Sequence, residues 1–436
     1  VFRSRLSRRR LLCGLAAASV LATAGCAKIN TPTPAPPTKL QFLDSDFDAT
    51  NTNALLSEFR ARNPHIAVER TVVSSDRVVT DLIASVASGT GQDVTFVPGG
   101  ALARLSADGW LRDLSGRPGA NALDAAELPW ANAQTTVSGG RYGVLSWVRL
   151  HGFFYNHAYL TTVGVAPPTT FDDLRTVAQA IEWQRLGNYA FYWPLKNGPG
   201  VFADDYLAAG MPMFDARLNP RFASDPVYSD VLAWRLNAIY KWNLVDPRGL
   251  ENQRDQDQSF PHGWAAFSWD TYDRLRLWQV SGQYLQSGHL ANALVPSWTT
   301  KQEAIGAADL WGMPSTVQQG DFAWELLYYL TAGENYRAAR ARWRESGLLF
   351  GYSALVSDRA LLTDGANWAN VDVLQAQLAQ VCAPPGISCA WQAEWLSYAT
   401  IQSALLIRRL ISPTTFTTEV AREWTALSAR VGPSSP

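Results

Sequence analysis

The 436-residue chain carries 37 Lys and Arg against 38 Asp and Glu, a formal charge of −1 at pH 7. That near-balance excludes a nucleic-acid binder built on a basic patch or stripe. The length exceeds what one hydrophobic core supports and implies two domains or so.

The first residues have the order of an export signal. A basic head with Ser7-Arg8-Arg9-Arg10-Leu11-Leu12 leads into an apolar run, Leu11 to Ala22, and then the small residues Thr23-Ala24-Gly25 before Cys26. The run is too short for a membrane span. The Arg pair resembles a twin-arginine signal. Small residues before a cysteine resemble a lipobox, in which Cys26 is lipidated and becomes the mature N-terminus, although Thr23 stands where Leu is usual. Removing residues 1–25 takes five arginines and no acids, leaving 32 basic against 38 acidic residues and a formal charge of −6. No later segment reaches 18 uninterrupted apolar residues. The mature chain is expected to be exported and tethered to the outer face of a bacterial cell membrane, in the periplasmic or cell-envelope space.

Pro32, Pro34, Pro36 and Pro37 make residues 26–38 an extended tether. Leu40 to Leu43 reads as a first strand. Asn51 to Asn63 reads as a helix with Leu55, Leu56 and Phe59 on one face, ended by Asn63-Pro64. Ile66 to Val73 alternates as a strand, Asp76 to Ser88 is a helix stopped by Gly89, and Asp93 to Val97 is a buried strand. Strands alternating with helices indicate an α/β fold with a mostly parallel sheet, whose ligands bind beyond the carboxyl ends of the strands. The loops near Asp46 and Gly99 are therefore candidate site loops. Further on, Asp321 to Thr331, Tyr336 to Ser346 and Trp391 to Leu410 carry helical apolar spacing. Cys382 and Cys389 flank a turn-rich hexapeptide and read as one structural disulfide in an oxidising compartment. The five histidines show no metal-ligand spacing, and neither Gly-x-Ser-x-Gly, Walker A nor His-Glu-x-x-His occurs. No cofactor or metal is expected. The 18 Trp, 17 Phe and 15 Tyr build core or stack on the apolar faces of sugars.

From Phe153 the chain reads Phe153-Phe154-Tyr155-Asn156-His157-Ala158-Tyr159-Leu160, then Gly164-Val165-Ala166-Pro167-Pro168-Thr169-Thr170-Phe171-Asp172-Asp173-Leu174. Physically this is a strand, a short helix, a Pro-Pro turn and a helix capped at Thr170 with acids in its first turn. It also resembles the hallmark of the family 1 extracellular solute-binding proteins, the carbohydrate-binding subunits of ABC importers that include maltose-binding protein. Asp93 to Leu114, Phe260 to Phe267, Ala293 to Pro296 and Phe322 to Leu330 resemble further segments of that family in the order it expects. The similarity covers roughly Leu40 to Tyr352.

The resemblance implies a two-lobed periplasmic-binding-protein-like α/β fold with three hinge crossings and a ligand cleft between the lobes. Crossings are expected near Arg149–Phe153, Leu310–Pro314 and Leu348–Gly351. One lobe would comprise residues 39–150 plus 312–348, the other 151–311 plus 349–436. The implied ligand contacts are Asp46 after the first strand, Phe191 and Trp193 in an aromatic segment, and Asp204 and Asp205 beyond it. Asp270 and Tyr272 follow the Gly263-Trp264-Ala265-Ala266-Phe267 motif, and Trp311 and Tyr352 sit beside two crossings. For these residues, solvation, core packing and helix capping are the competing roles. The sequence departs from the maltose-binding pattern at Val97, Gly100, Ala101 and Arg149, where that protein has Trp, Asp, Arg and Glu. Maltose is therefore not the expected ligand. Arg149 exchanges an acceptor for donors, to read a carboxylate or phosphate or to brace the hinge.

The function implied is a non-enzymatic, monomeric binding lipoprotein that takes up a disaccharide, an amino sugar or a glycerophospho-sugar derivative and delivers it to ABC permease subunits. The alternatives are a secreted glycosidase using Asp204 with Asp270, and an orphan surface carbohydrate-binding lipoprotein.

Overall fold

A computed structural model describes residues 37–187, 189–192, 210–250, 256–298, 301–365 and 367–431. Cys26, Trp193, Asp204 and Asp205 lie outside the described residues. Strand β1 (Thr38–Ser45) pairs in parallel with β2 (Ile66–Val73) along its whole length and with β3 (Val94–Pro98). The helices between them are Ala49–Arg62 and Val78–Ser88. The second of these is closed by Gly89 in the left-handed conformation, φ 68°. The short ribbon β4 (Thr136–Val137) and β5 (Gly140–Arg141) precedes β6 (Val144–Asn156), a 13-residue strand.

The remaining strands are β7 (Tyr189–Phe191), β8 (Ala265–Thr271), β9 (Leu290–Ala293), β10 (Ala304–Gly312) and β11 (Val381–Cys382). They complete a sheet in the order β2-β1-β3-β10-β6-β8-β7, with β9 against β6 and β11 against β10. The expectation of a mostly parallel sheet needs correction. β10 runs antiparallel to both β3 and β6, and β6 runs antiparallel to β8 and β9. The reason lies in β6 itself. Val144 to Leu150 pair with β10, and from His151 onward the same strand pairs with β8 and then also with β9. One continuous strand thus joins two groups of βα units, and the antiparallel strands are those that carry the chain between them. Close approach at this seam needs Gly99, where a Cβ would lie 2.1 Å from the Ala308 carbonyl oxygen.

Two hydrophobic clusters result. The larger follows the sheet and its helices. The smaller packs Trp391, Trp395, Trp424, Phe214 and Phe222 between the helices Gln392–Ile407 and Pro413–Val431 and their neighbours. The 19-residue helix Pro413–Val431 has no counterpart in the sequence reading, although Val420, Trp424 and Leu427 recur at helical spacing. Cys389 is buried in the smaller cluster, and Cys382 lies on β11 at its edge. Among the described residues no helix is long and apolar enough to cross a membrane, and no group of three His, Cys, Asp or Glu is placed to hold a metal.

The helix Phe171–Trp183 shows how local chemistry sets an element. Thr170 Oγ1 accepts from the Asp173 N–H at 3.0 Å, and the Asp173 carboxylate accepts from the Thr170 N–H at 3.1 Å, a reciprocal capping box. Thr170→Ala is expected to destabilise the protein by about 1 kcal/mol, while Thr170→Ser leaves it near wild type. Urea unfolding checks this, with a shifted midpoint at constant slope; equal midpoints for the two variants would refute the capping role.

Candidate functional site

The loop after β1 forms one wall of a cleft. Asp46 is exposed at its rim, its carboxylate 3.4 Å from the Ser75 hydroxyl. The next two side chains turn inward. Phe47, 41% exposed, stacks on Trp147 at 5.6 Å, and Trp147 stacks on Phe96 at 5.5 Å. Asp48 is buried and pairs with the buried Arg342 at 3.0 Å. Strand periodicity puts Trp147 and Arg149 on the same face of β6. Both reach Asp309 on β10: Trp147 Nε1 donates to it at 3.0 Å, and the Arg149 guanidinium pairs with it at 3.0 Å. Arg149 also lies over the Phe47 ring, 5.6 Å from its centroid. Arg149 thus combines a buried counter-ion at the seam with a side chain 40% exposed.

The opposite wall is the junction between β8 and the helix Tyr272–Val280. Asp270, next to last in the strand, is half-buried and accepts from the Thr271 N–H at 2.7 Å. Burial pushes its carboxyl up to about 7; the charge of Asp273 adds to this, while the Thr271 bond, Arg274 and His151 oppose it. Burial likewise raises Asp273, against a hydrogen bond with Thr271 and the charges of Arg149 and Arg274. The walls enclose a cavity of about 330 Å³ lined by Phe47 and Asp48 on one side, Asp273, Arg274 and Arg276 on the other, and Glu345 at its end. The carboxylates of Asp48, Asp273 and Glu345 and the guanidiniums of Arg274 and Arg276 line it, a set of strong acceptors and donors suited to hydroxyl-rich ligands.

Arg149 lies behind the cavity over the Phe47 ring, Asp270 sits at the β8 junction three residues before the lining Asp273, and Asp46 is at the rim; none of the three lines the described cavity itself. Four other candidates from the sequence sit in the core instead of on this cavity. Phe191 packs between Phe267 and Trp269 at 5.4 and 5.8 Å. Tyr272 meets Phe154 edge-on at 5.3 Å and accepts from Asn292 at 3.2 Å. Trp311 donates to Asp44 at 3.3 Å beneath the Arg342 guanidinium, which lies 4.7 Å from its ring. Tyr352 packs on Tyr336 at 4.6 Å, its hydroxyl buried without a hydrogen-bond partner. Apolar ring area drives all four inward. The cavity residues Phe47, Asp48, Asp273, Arg274 and Glu345 escaped the sequence reading. Only Asp273 had an available signal, three residues after Asp270 and hence one helical turn along.

An acid whose folded pKa lies above its unfolded value near 3.9 holds its proton more tightly in the folded state. The stability this confers is present at low pH and is lost as the pH rises through about 7. Asp270→Asn, which cannot ionise, is therefore expected to gain thermal stability over wild type as the pH rises from about 4 to about 8. A difference independent of pH would show that Asp270 titrates normally.

Known proteins share both sequence and architecture with this chain. A relative from Streptomyces antibioticus, an uncharacterized lipoprotein in the oleD 5' region, is 30% identical over 187 residues, 40% of this chain and 41% of that one. The match thus spans less than half of that relative's length. Among solved structures, maltose-bound MalE3 of T. maritima is similar at 17% identity and TM-score 0.76, covering 89% of this chain and 100% of that one. The substrate-binding protein Lmo0181 of Listeria monocytogenes, in complex with cycloalternan, has 15% identity and TM-score 0.76 over 90% of this chain and 99% of that one. The GacH receptor of Streptomyces glaucescens, solved unliganded and with acarbose, has 18% identity and TM-score 0.76 over 90% and 98%. These likenesses give the two-lobed periplasmic-binding-protein fold. The family described as bacterial extracellular solute-binding protein matches residues 54–344, about two thirds of the sequence, and the chain belongs to that family.

Proposed function

We propose that this protein captures a carbohydrate outside the cell and delivers it to the permease of an ABC importer, without turning it over. The observation that carries the reading is the cavity between the β1 loop and the β8–helix junction, where carboxylates and guanidiniums stand beside the half-exposed ring of Phe47. Sugars present hydroxyls that both donate and accept, together with apolar faces that stack on rings. The maltose, cycloalternan and acarbose of the similar structures belong to this ligand class. Asp270, Asp273 and Arg149 are the proposed polar contacts, with Asp46 at the rim; Trp193, Asp204 and Asp205, outside the described residues, are proposed contacts on the family resemblance alone.

The lobes in this reading are residues 39–150 plus 312–348 and residues 151–311 plus 349–436. The change of pairing partner within β6 at Leu150 and His151 supports a hinge near Arg149–Phe153. The isolated bridge from Val148 to Leu349 brings the Leu348–Gly351 crossing to the same seam. Lobe closure on ligand would bend the chain there. Cys26 is the proposed lipid anchor, Cys382 with Cys389 the proposed disulfide, and the monomer the proposed working form.

The test is thermal unfolding of the lipid-free protein from Ala27 across sugars, amino sugars and phosphorylated glycerols. A ligand at about 100 times its dissociation constant stabilises by roughly 2.7 kcal/mol if it binds only the folded state. One chemical class is expected to raise the midpoint, and Asp273→Ala and Arg149→Ala to abolish the rise. No shift with any member, or release of hydrolysed sugar, would overturn the reading.

A further inference from the structure

The helix Gly333–Ser346 ends at Gly347, which is left-handed with φ 72°. The last carbonyls of a helix lack intrahelical donors and carry partial negative charge, so they favour a cation. One arrives from the opposite wall of the cleft. Arg276, on the helix Tyr272–Val280, donates from Nη2 to the Arg344 carbonyl oxygen at 3.0 Å. A Cβ at Gly347 would lie 2.9 Å from Arg276 Cδ and 3.1 Å from its Cβ, so glycine leaves room for the arginine stem against the helix end. Burial lowers the proton affinity of Arg276, and the charge of Glu345, which lines the same cavity, opposes that and favours the guanidinium. Arg276 Nε is buried with no hydrogen-bond partner among the described residues. The guanidinium therefore makes a directed contact with the far wall while one of its own N–H groups stays unsatisfied.

We propose that Arg276 is a latch between the two walls, whose bond to the C-terminal carbonyl of the helix Gly333–Ser346 sets how far the cleft opens when no ligand is bound. The inference rests on the two-lobed reading, in which Arg276 and Arg344 belong to different lobes. It assigns Arg276 a positioning role, acting on ligand through the geometry of the walls.

The experiment compares the ligand-free protein from Ala27 with Arg276→Ala, Arg276→Lys and Leu277→Ala by hydrogen exchange and small-angle X-ray scattering. Leu277 lines the same cavity without fastening it. Arg276→Ala is expected to lose roughly tenfold in protection around the Gly347 turn, as for removal of one charge-assisted hydrogen bond, with an increased radius of gyration. Arg276→Lys, a point charge without the planar fork, is expected to fall between it and wild type. Unchanged exchange and scattering in Arg276→Ala would overturn the latch, as would equal changes in Leu277→Ala, which would trace the effect to packing. Because no ligand is used, an unresponsive sugar panel would overturn the carbohydrate reading and leave this result standing.

Discussion

The buried guanidinium of Arg342 is the interaction on which the rest of the cleft depends. With 1% of its surface exposed, it has lost nearly all of its hydration. Desolvating an ion costs several kcal/mol unless close partners replace the water. Asp48 supplies the counter-charge at 3.0 Å, the Leu330 carbonyl accepts at 3.3 Å, and the Trp311 ring offers its face at 4.7 Å. Those partners come from the β1 loop, a neighbouring helix and β10, so one cation fixes three segments that are far apart in sequence. Asn51 extends the lock, donating to Asp48 at 2.8 Å and to the Ser346 hydroxyl at 2.6 Å. Phe47 is held between these fixed neighbours with its ring over Trp147.

A second buried pair backs the same wall. Arg70 binds Asp44 at 2.6 Å, and Asp44 also accepts from Trp311. The first wall is thus a set of charges already neutralised by fixed partners. Across the cavity, Asp270 and Asp273 are carboxylates whose burial raises their proton affinity, with Arg149, Arg274 and His151 close enough to oppose it. One wall is preorganised by ion pairing. The other keeps acceptors whose charge depends on what lies opposite.

How much of this the sequence discloses follows from the range of the forces involved. Ile66–Val73 emerges with the same ends from alternation alone, and Gly89 and Thr170 mark helix ends because a left-handed turn and a capping box are local chemistry. The cleft is not local. Asp48 and Arg342 lie 294 residues apart, and Trp311 and Asp44 lie 267 apart. Nothing in either neighbourhood announces its partner. The resemblance points to Asp46 in the loop after β1; Asp48, two residues on, is the one that lines the described cavity. In the sequence Trp311 and Tyr352 stand out only by their positions beside the expected crossings. Their rings are buried, where they support the seam from beneath.

The aromatic surplus has a similar resolution, and it bears on specificity. Trp147, Trp278, Trp311, Trp343, Trp395 and Trp424 are fully buried, so most of the ring area in the described residues stabilises the fold. Phe47 is the aromatic side chain lining the described cavity, and it is held from behind by Trp147. With so little ring face there, the lining of the described cavity is mainly polar and charged. Removing an apolar contact changes selectivity by about one to three kcal/mol, whereas a ligand that leaves a buried polar group unpaired is rejected far more strongly. Asp273 and Arg274 stand side by side in the first turn of one helix and are the polar groups which that wall presents to the cavity. The buried ion pairs opposite, Asp48 with Arg342 and Asp44 with Arg70, hold the facing wall in one arrangement.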